Sequence, residues 1–322
     1  MSVPVQGQAP SPGRIDTHFH VVPPVYRQWL EQHPLYHGPY VEWSRDRALE
    51  YLDRSGTETA IMSVSTPGAR VAASDGRRDV QRVARAVNEF SADVVRDDPR
   101  HFGFFATLTL PDVDGALAEA EYALDELNAD GVVLLTNTDG VYLGDPRFDP
   151  LLEFLSQRGA VVFVHPTAPG SPSVPGISPG TVDFLADSVR SAVNLAKHGC
   201  LRRFPNVTVI LSHGGGYLPY AALRIALMAL PGEPEETALA QLRNFYFDTA
   251  LTSGPYALPS LLAFAEPTHV IFGSDWPYAR TGPALAFTKR LAEYLPDPGQ
   301  AHAINRGNAE VLFPRLTQPI LT

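Results

Sequence analysis

A single cysteine, Cys200, stands among 322 residues. That count leaves no internal disulfide and no thiolate metal cluster. A lone thiol reads as a small buried hydrophobe in a reducing compartment. No apolar stretch reaches the ~18 residues that a spanning helix needs. The N-terminal MSVPVQGQAPSPG has neither a basic n-region nor an apolar h-region, so it does not read as a signal peptide. Its Pro, Gly, Ser and Gln content makes residues 1–13 a short disordered extension. The expected location is therefore cytoplasmic. Lys and Arg form no run, and 35 acidic against 25 basic residues leave a net charge of −10. Neither nucleic acid nor an anionic membrane surface suits such a chain as partner.

What is present is a soluble-enzyme composition, 44% hydrophobic and 19% charged, in a length that suits one large α/β barrel or two ordinary domains. Short β-rich runs recur at 14–20, 59–65, 102–110, 131–136, 160–165, 207–213, 245–249 and 269–275. Several are continuously apolar, as strands covered on both faces are. Helical patterns fill the gaps, at 45–55, 79–97, 112–128, 149–158, 181–204, 220–229, 256–264 and 283–295. Ser44 is placed to cap the first and Gly56 to close it. Eight strands alternating with eight helices predict a (β/α)8 TIM barrel over residues 14–322, in a single domain. A doubly wound sheet would need a Gly-rich first turn, and RIDTHFHVVPP at 14–24 offers none. Two long excursions, 21–43 and the Pro/Gly/Ser-rich 166–180, follow the first and fifth strands. Loops at that end of a barrel build its catalytic face, so both are expected to wall an active site.

The polar residues fall at the ends of these runs. RIDTHFH ends in His18 and His20, AVVFVH in His165, VTVILSH in His213 and HVIFGSD in Asp275. In a regular strand residues two apart share a face, so His18 and His20 point the same way. Any one such residue is commonly just a satisfied polar group. Five of them converging on one barrel mouth predict a metal site. Imidazoles with a carboxylate suit Zn²⁺, Mn²⁺ or Fe²⁺. An imidazole left over would serve as a general acid or base. The other histidines differ. His33 and His37 lie in the first loop as weaker pocket candidates, His101 and His269 at strand starts, His198 and His302 on helices.

DTHFH, FVHP, LSHGGG and FGSDWP, in this order on these strands, resemble the amidohydrolase superfamily. More narrowly they resemble its "amidohydrolase 2" branch, which includes aminocarboxymuconate-semialdehyde, gamma-resorcylate and 6-methylsalicylate decarboxylases. The resemblance runs from about residue 14 to about 313. It implies His18, His20, His165 and Asp275 as metal ligands and His213 as the acid/base beside them. Related branches hold a second metal through a lysine at the end of the fourth strand. GVVLLTN places Thr136 and Asn137 there, which implies one metal per chain, Zn²⁺ first and Mn²⁺ next. Arg224, eleven residues after His213, matches an arginine that crosses a dimer interface to hold a substrate carboxylate, so a homodimer is expected. A second carboxylate-binding arginine of that relative aligns with Ala48, beside Arg47.

The resemblance implies a non-oxidative decarboxylase, a carboxy-lyase acting on an ortho-hydroxybenzoate-like or unsaturated cyclic carboxylic acid. His213 or Asp275 would protonate the carbon that bears the carboxylate. Phe19 and Trp276 could wall a flat ring, or simply pack the barrel, and Asn137 is a further candidate for substrate contact. The competing reading is a hydrolase of a lactone, amide or ester using the same site. HGGG also forms oxyanion holes in serine esterases, but those need a G-x-S-x-G elbow, which this sequence lacks. A ligand-binding barrel without catalysis would have lost metal ligands, and none is missing.

Overall fold

The computed structural model describes residues 13–36, 38–168, 174–230 and 232–317. The extension up to residue 12, His37, and 169–173 of the second loop lie outside the described residues. Eight strands are found where the apolar runs predict them: β1 Arg14–His20, β2 Thr57–Ser63, β3 Phe102–Thr107, β4 Gly131–Leu135, β5 Val161–His165, β6 Thr208–Leu211, β7 Tyr246–Asp248 and β8 Val270–Ile271. They pair in sequence order, all parallel. Backbone hydrogen bonds close the ring, from Thr17 N to Phe272 O (3.0 Å), Asp275 N to His18 O (2.8 Å) and His20 N to Trp276 O (2.7 Å). This is the expected TIM barrel. A short antiparallel pair not read from the sequence, Asn137–Thr138 with Val141–Tyr142, follows β4.

Inside the ring Ile15, Ile61, Phe105, Phe163, Ile210 and Ile271 form one apolar cluster, with Phe313 packed on it. The larger apolar layer lies between the strands and the helices. Ile15 belongs to the inner cluster, whereas Phe19 belongs to the outer layer. In a regular strand these two residues would share a face. The pairing of β1 with β2 slips between Asp16 and Phe19. That bulge turns His18 and His20 inward, a use of bulges common beside active sites.

The helices follow their capping signals. Ser44 accepts from Arg47 N (3.3 Å) at the start of α2 Arg45–Ser55, and Gly56 at φ 66° closes it. Asp112 accepts from Gly115 N (3.3 Å) at the head of α4 Val113–Glu121. Several segments differ from expectation, among them Glu235–Arg243, a helix not read from the sequence. The predicted 181–204 helix breaks at Gly199 (φ 61°) into α6 Asp183–Lys197 and α7 Cys200–Arg203. The double proline lies just past the end of β1, and Pro24 also opens a helix not read from the sequence, α1 Pro24–Glu31, since Pro suits the first helical position. Beyond β8 the chain adds Pro298–His302 and Asn308–Leu312 as helical turns, which carry Phe313 to the barrel floor. No described helix is long and apolar enough to cross a membrane.

Candidate metal centre

The inward-facing ends of β1, β5 and the β8 run bring four side chains together. Ligating atoms of His18, His20, His165 and Asp275 all lie within 4.8 Å of one another, and all four residues are buried. His18 Nε2 is 3.1 Å from His20 Nε2, and Asp275 Oδ1 lies 3.1 Å from His20 Nε2. Each imidazole uses its other nitrogen elsewhere. Nδ1 of His18 is 2.7 Å from Asp248 Oδ2, that of His20 is 3.2 Å from Ser63 O, and that of His165 is 2.8 Å from Pro166 O. Acceptors at all three Nδ1 positions hold a proton there, which leaves the Nε2 lone pairs of His20 and His165 free, and that of His18 once the second proton it carries without metal is displaced. Buried lone pairs at such distances repel unless a cation lies between them. The donor set therefore fits a divalent ion of the Zn²⁺ or Mn²⁺ type.

The electrostatics agree with that arrangement. Burial pushes His20 down, and burial together with the other imidazoles pushes His165 well down, so both stay neutral and able to donate a lone pair. Burial acts the same way on His18, but the Asp248 and Asp275 carboxylates outweigh it and raise it to about 10. Burial would raise Asp275, yet contacts from His18, His20 and His213 hold it well below the carboxylate range. Gly273 makes the close approach feasible: a Cβ there would meet the His18 Cβ at 2.7 Å and the Asp248 Cβ at 3.1 Å.

His213 stands beside the four. Its Nε2 is 3.5 Å from Asp275 Oδ2, and its buried Nδ1 has no partner among the described residues. Asp275 is thus divided, with Oδ1 toward His18 and His20 and Oδ2 toward His213. Both residues have left-handed backbone, φ 53° for His213 and 62° for Asp275. Such strain concentrates where a fold over-determines a functional geometry. His213 N donates to Asp248 Oδ1 (2.9 Å), so one carboxylate holds both His18 and His213. HGGG has a packing reason of its own: Gly216 (φ 67°) turns the chain against the carbonyl of Leu185, where no Cβ fits.

His165, His213 and Asp275 line a cavity of about 1130 Å³. Its walls include Leu108, Leu110, Val133, Leu135 and Phe184. Both long loops contribute, through Leu35, Tyr36 and Pro39 from the first and Ala168, Ser178 and Pro179 from the second.

The amidohydrolase family profile matches residues 15–315. The chain belongs to the amidohydrolase family. Among its relatives, the 6-methylsalicylic acid decarboxylase of Penicillium expansum is 37% identical over 321 residues, covering 94% of this chain and 97% of the relative. A solved structure described as an amidohydrolase II superposes with a TM-score of 0.87 at 28% identity, covering 95% of this chain and all of the other. The dihydroxybenzoic acid decarboxylase of Polaromonas, solved with manganese and 2-nitroresorcinol, shares the fold at TM-score 0.79 and 22% identity, over 95% and 98% of the two chains.

In this amidohydrolase the remaining sequence candidates scatter. Phe19 and Trp276 stack on each other with centroids 4.9 Å apart, and Trp276 stacks on Tyr51 of α2. Both belong to the sheet–helix layer, not to the cavity wall. Asn137 does line the cavity, but its amide is bound to Asp187 (3.2 Å). Thr136 Oγ1, Tyr142 OH and Thr167 N also donate to that carboxylate, so a buried Asp cluster fills the end of β4. Arg224 is exposed on α8 Leu218–Ala229 and does not line the cavity. Ala48 is fully buried in α2, and exposed Arg47 pairs with Glu42. His33 donates to Trp29 O and lies near Asp75 and Asp79, outside the cavity lining. Asp248 is the functional residue that the sequence reading missed. It ends its strand as the other site residues do, in FYFDT, and that placement was the available signal.

Proposed function

We propose that this amidohydrolase is a metal-dependent, non-oxidative decarboxylase of an ortho-hydroxybenzoate-like or unsaturated cyclic carboxylic acid. One observation carries the reading: three imidazoles and a carboxylate converge at a largely apolar cavity, with an acid/base pair, His213 and Asp275, at its wall. His18, His20, His165 and Asp275 would hold one divalent ion, Zn²⁺ first and Mn²⁺ next. Such an ion supplies positive charge that draws in a carboxylate and neighbouring hydroxyl oxygen. The apolar walls hold the flat ring and exclude water. A proton held between His213 Nε2 and Asp275 Oδ2 passes to the ring carbon that bears the carboxylate. The bond from that carbon to the carboxylate then breaks, its electron pair returns to the ring, and CO2 leaves. The proton stays on carbon in place of the lost group. Hydrolysis of a lactone, amide or ester would suit the same groups, but the named full-length relative is a decarboxylase.

Further parts of the proposal rest on the surroundings of the site. The Asp187 cluster at the end of β4 has no lysine to bridge a second ion, which supports a mononuclear centre. Tyr220, Leu223, Leu227 and Met228 leave an apolar face exposed on α8, beside Arg224. That face supports a homodimer in which Arg224 serves the partner's site, in a cytoplasmic enzyme whose domain runs from residue 14. The test uses protein stripped by a chelator and reloaded with Zn²⁺ or Mn²⁺. It is offered 6-methylsalicylate, 2,6-dihydroxybenzoate, lactones and amides, and the products are read by mass. CO2 loss that depends on metal and vanishes in His165→Ala is expected. Water gain by a lactone or amide, without CO2 loss from any acid, would overturn the reading.

A further inference from the structure

The same cavity contains a guanidinium that the chemistry above does not use. Arg70 follows β2 in the run STPGAR and lines the cavity together with His165, His213 and Asp275. Its side chain is only 17% exposed. Nη2 donates to Ala73 O (2.6 Å) and is 3.3 Å from Asp139 Oδ2. Nε is buried and has no acceptor among the described residues. A buried donor left unmade is costly unless something completes it. The partner Asp139 is itself 43% exposed and lines the same cavity, so an incoming carboxylate can exchange with it at Nη2.

The other arginines do not compete for this role within the chain. Arg47 and Arg224 are exposed and away from the cavity, and Arg280 is exposed at its rim. The lining includes the aliphatic side chains of Leu108, Leu110, Val133 and Leu135. At about 1130 Å³ the cavity exceeds the ~300–1,000 Å³ of ordinary ligand sites and leaves room beyond one ring.

We infer that Arg70 is a specificity-determining residue that binds a second acidic group of the substrate, a carboxylate distal to the one that is lost. This rests on the decarboxylase reading. The substrate class becomes an aromatic dicarboxylate with one acid at the metal centre, the ring against the aliphatic walls, and the other acid at Arg70. A guanidinium fork matches a carboxylate in shape and charge.

The experiment measures binding to the metal-loaded full chain by calorimetry, so it does not depend on turnover. The probes are salicylate and salicylates carrying a second carboxylate at ring position 4 or 5. Native protein should bind one of the dicarboxylates more tightly than salicylate. Arg70→Ala should weaken that dicarboxylate by about 10–100-fold, the worth of a hydrogen bond to a charged group, and leave salicylate within about twofold. Arg70→Lys should restore part of the loss. Arg70→Gln keeps the bulk and replaces Arg70→Ala if the latter does not fold, as judged by thermal melting and metal content. Equal weakening of both ligand types, or no preference in the native protein, would overturn the inference. Discrimination without CO2 release would instead leave Arg70 in place and remove the decarboxylase reading.

Discussion

Asp248→Asn separates the carboxylate behind the metal centre from the ligands themselves. Asp248 Oδ2 accepts from His18 Nδ1 at 2.7 Å, while Oδ1 accepts from His213 N and Ala250 N, both at 2.9 Å. An asparagine can keep the two backbone bonds with its carbonyl oxygen. Its NH2 then faces His18 Nδ1, and two N–H groups cannot meet there. His18 must move its proton to Nε2, which removes the lone pair aimed at the cluster. Loss of such a support typically costs ~10–100-fold in metal affinity, or about 1.4–2.8 kcal/mol. The fold should survive, because both backbone contacts remain and His18, relieved of Asp248, becomes neutral. The assay is competition against a chelator at fixed pH, with circular dichroism on the metal-free protein. Affinity within about twofold of the parent would refute the reasoning. Packing against Phe163, whose ring centroid is 4.9 Å away, would then be what orients His18.

Three further outcomes are expected. Gly273→Ala should lower metal affinity by roughly tenfold or more in a folded chain, because the new Cβ would press on His18; chelator competition checks this. His18 in the metal-free site is raised from 6.5 to about 10. Its charged form therefore stabilises the metal-free fold fully below about pH 6.5, and that contribution is lost as pH rises through about 10. Metal must displace this proton, so calorimetry in buffers of different ionisation enthalpy should find about one proton released per ion near pH 7. Leu227→Asp, on the exposed face of α8, should convert a dimer to monomer in sedimentation experiments. A parent protein already monomeric at micromolar concentration would remove the dimer.

The barrel was legible because its signal is redundant. Each of the eight strands is a short apolar run, and a miss of four residues at an end, as at the predicted 269–275 against Val270–Ile271, leaves the alternation intact. Chain direction was harder to read at Pro23 and Pro24. Proline ends a strand and begins a helix with equal ease, and only packing decides which, here with Tyr26, Trp29 and Leu30 buried on one face of α1. The break at Gly199 was readable in principle, since a glycine inside a helical pattern can mark a C-cap. Phe19 and Trp276 were open to two readings, because an aromatic beside a ligand either lines a pocket or packs the layer behind it.

The site shows why strand periodicity succeeded at His18 and His20 for a reason other than the one assumed. Two residues apart does predict one face, and the two imidazoles do share it. Alternation carried down from Ile15, however, would send both of them to the helix side and bring Phe19 into the ring. The slip between Asp16 and Phe19 reverses this, and a bulge of one residue has no compositional mark. Its support is non-local: Asp16 Oδ1 accepts from His18 N and from Ser274 N, both at 3.1 Å, tying the bulge to the run that ends in Asp275. The other Asp16 oxygen is buried without a partner among the described residues, and burial lifts the carboxyl to about 7. A group so costly to bury is retained at the point where the two ligand-bearing ends of the chain close the barrel. The geometry of the metal centre is thus set by a contact between residues 16 and 274, which a reading along the chain does not reach.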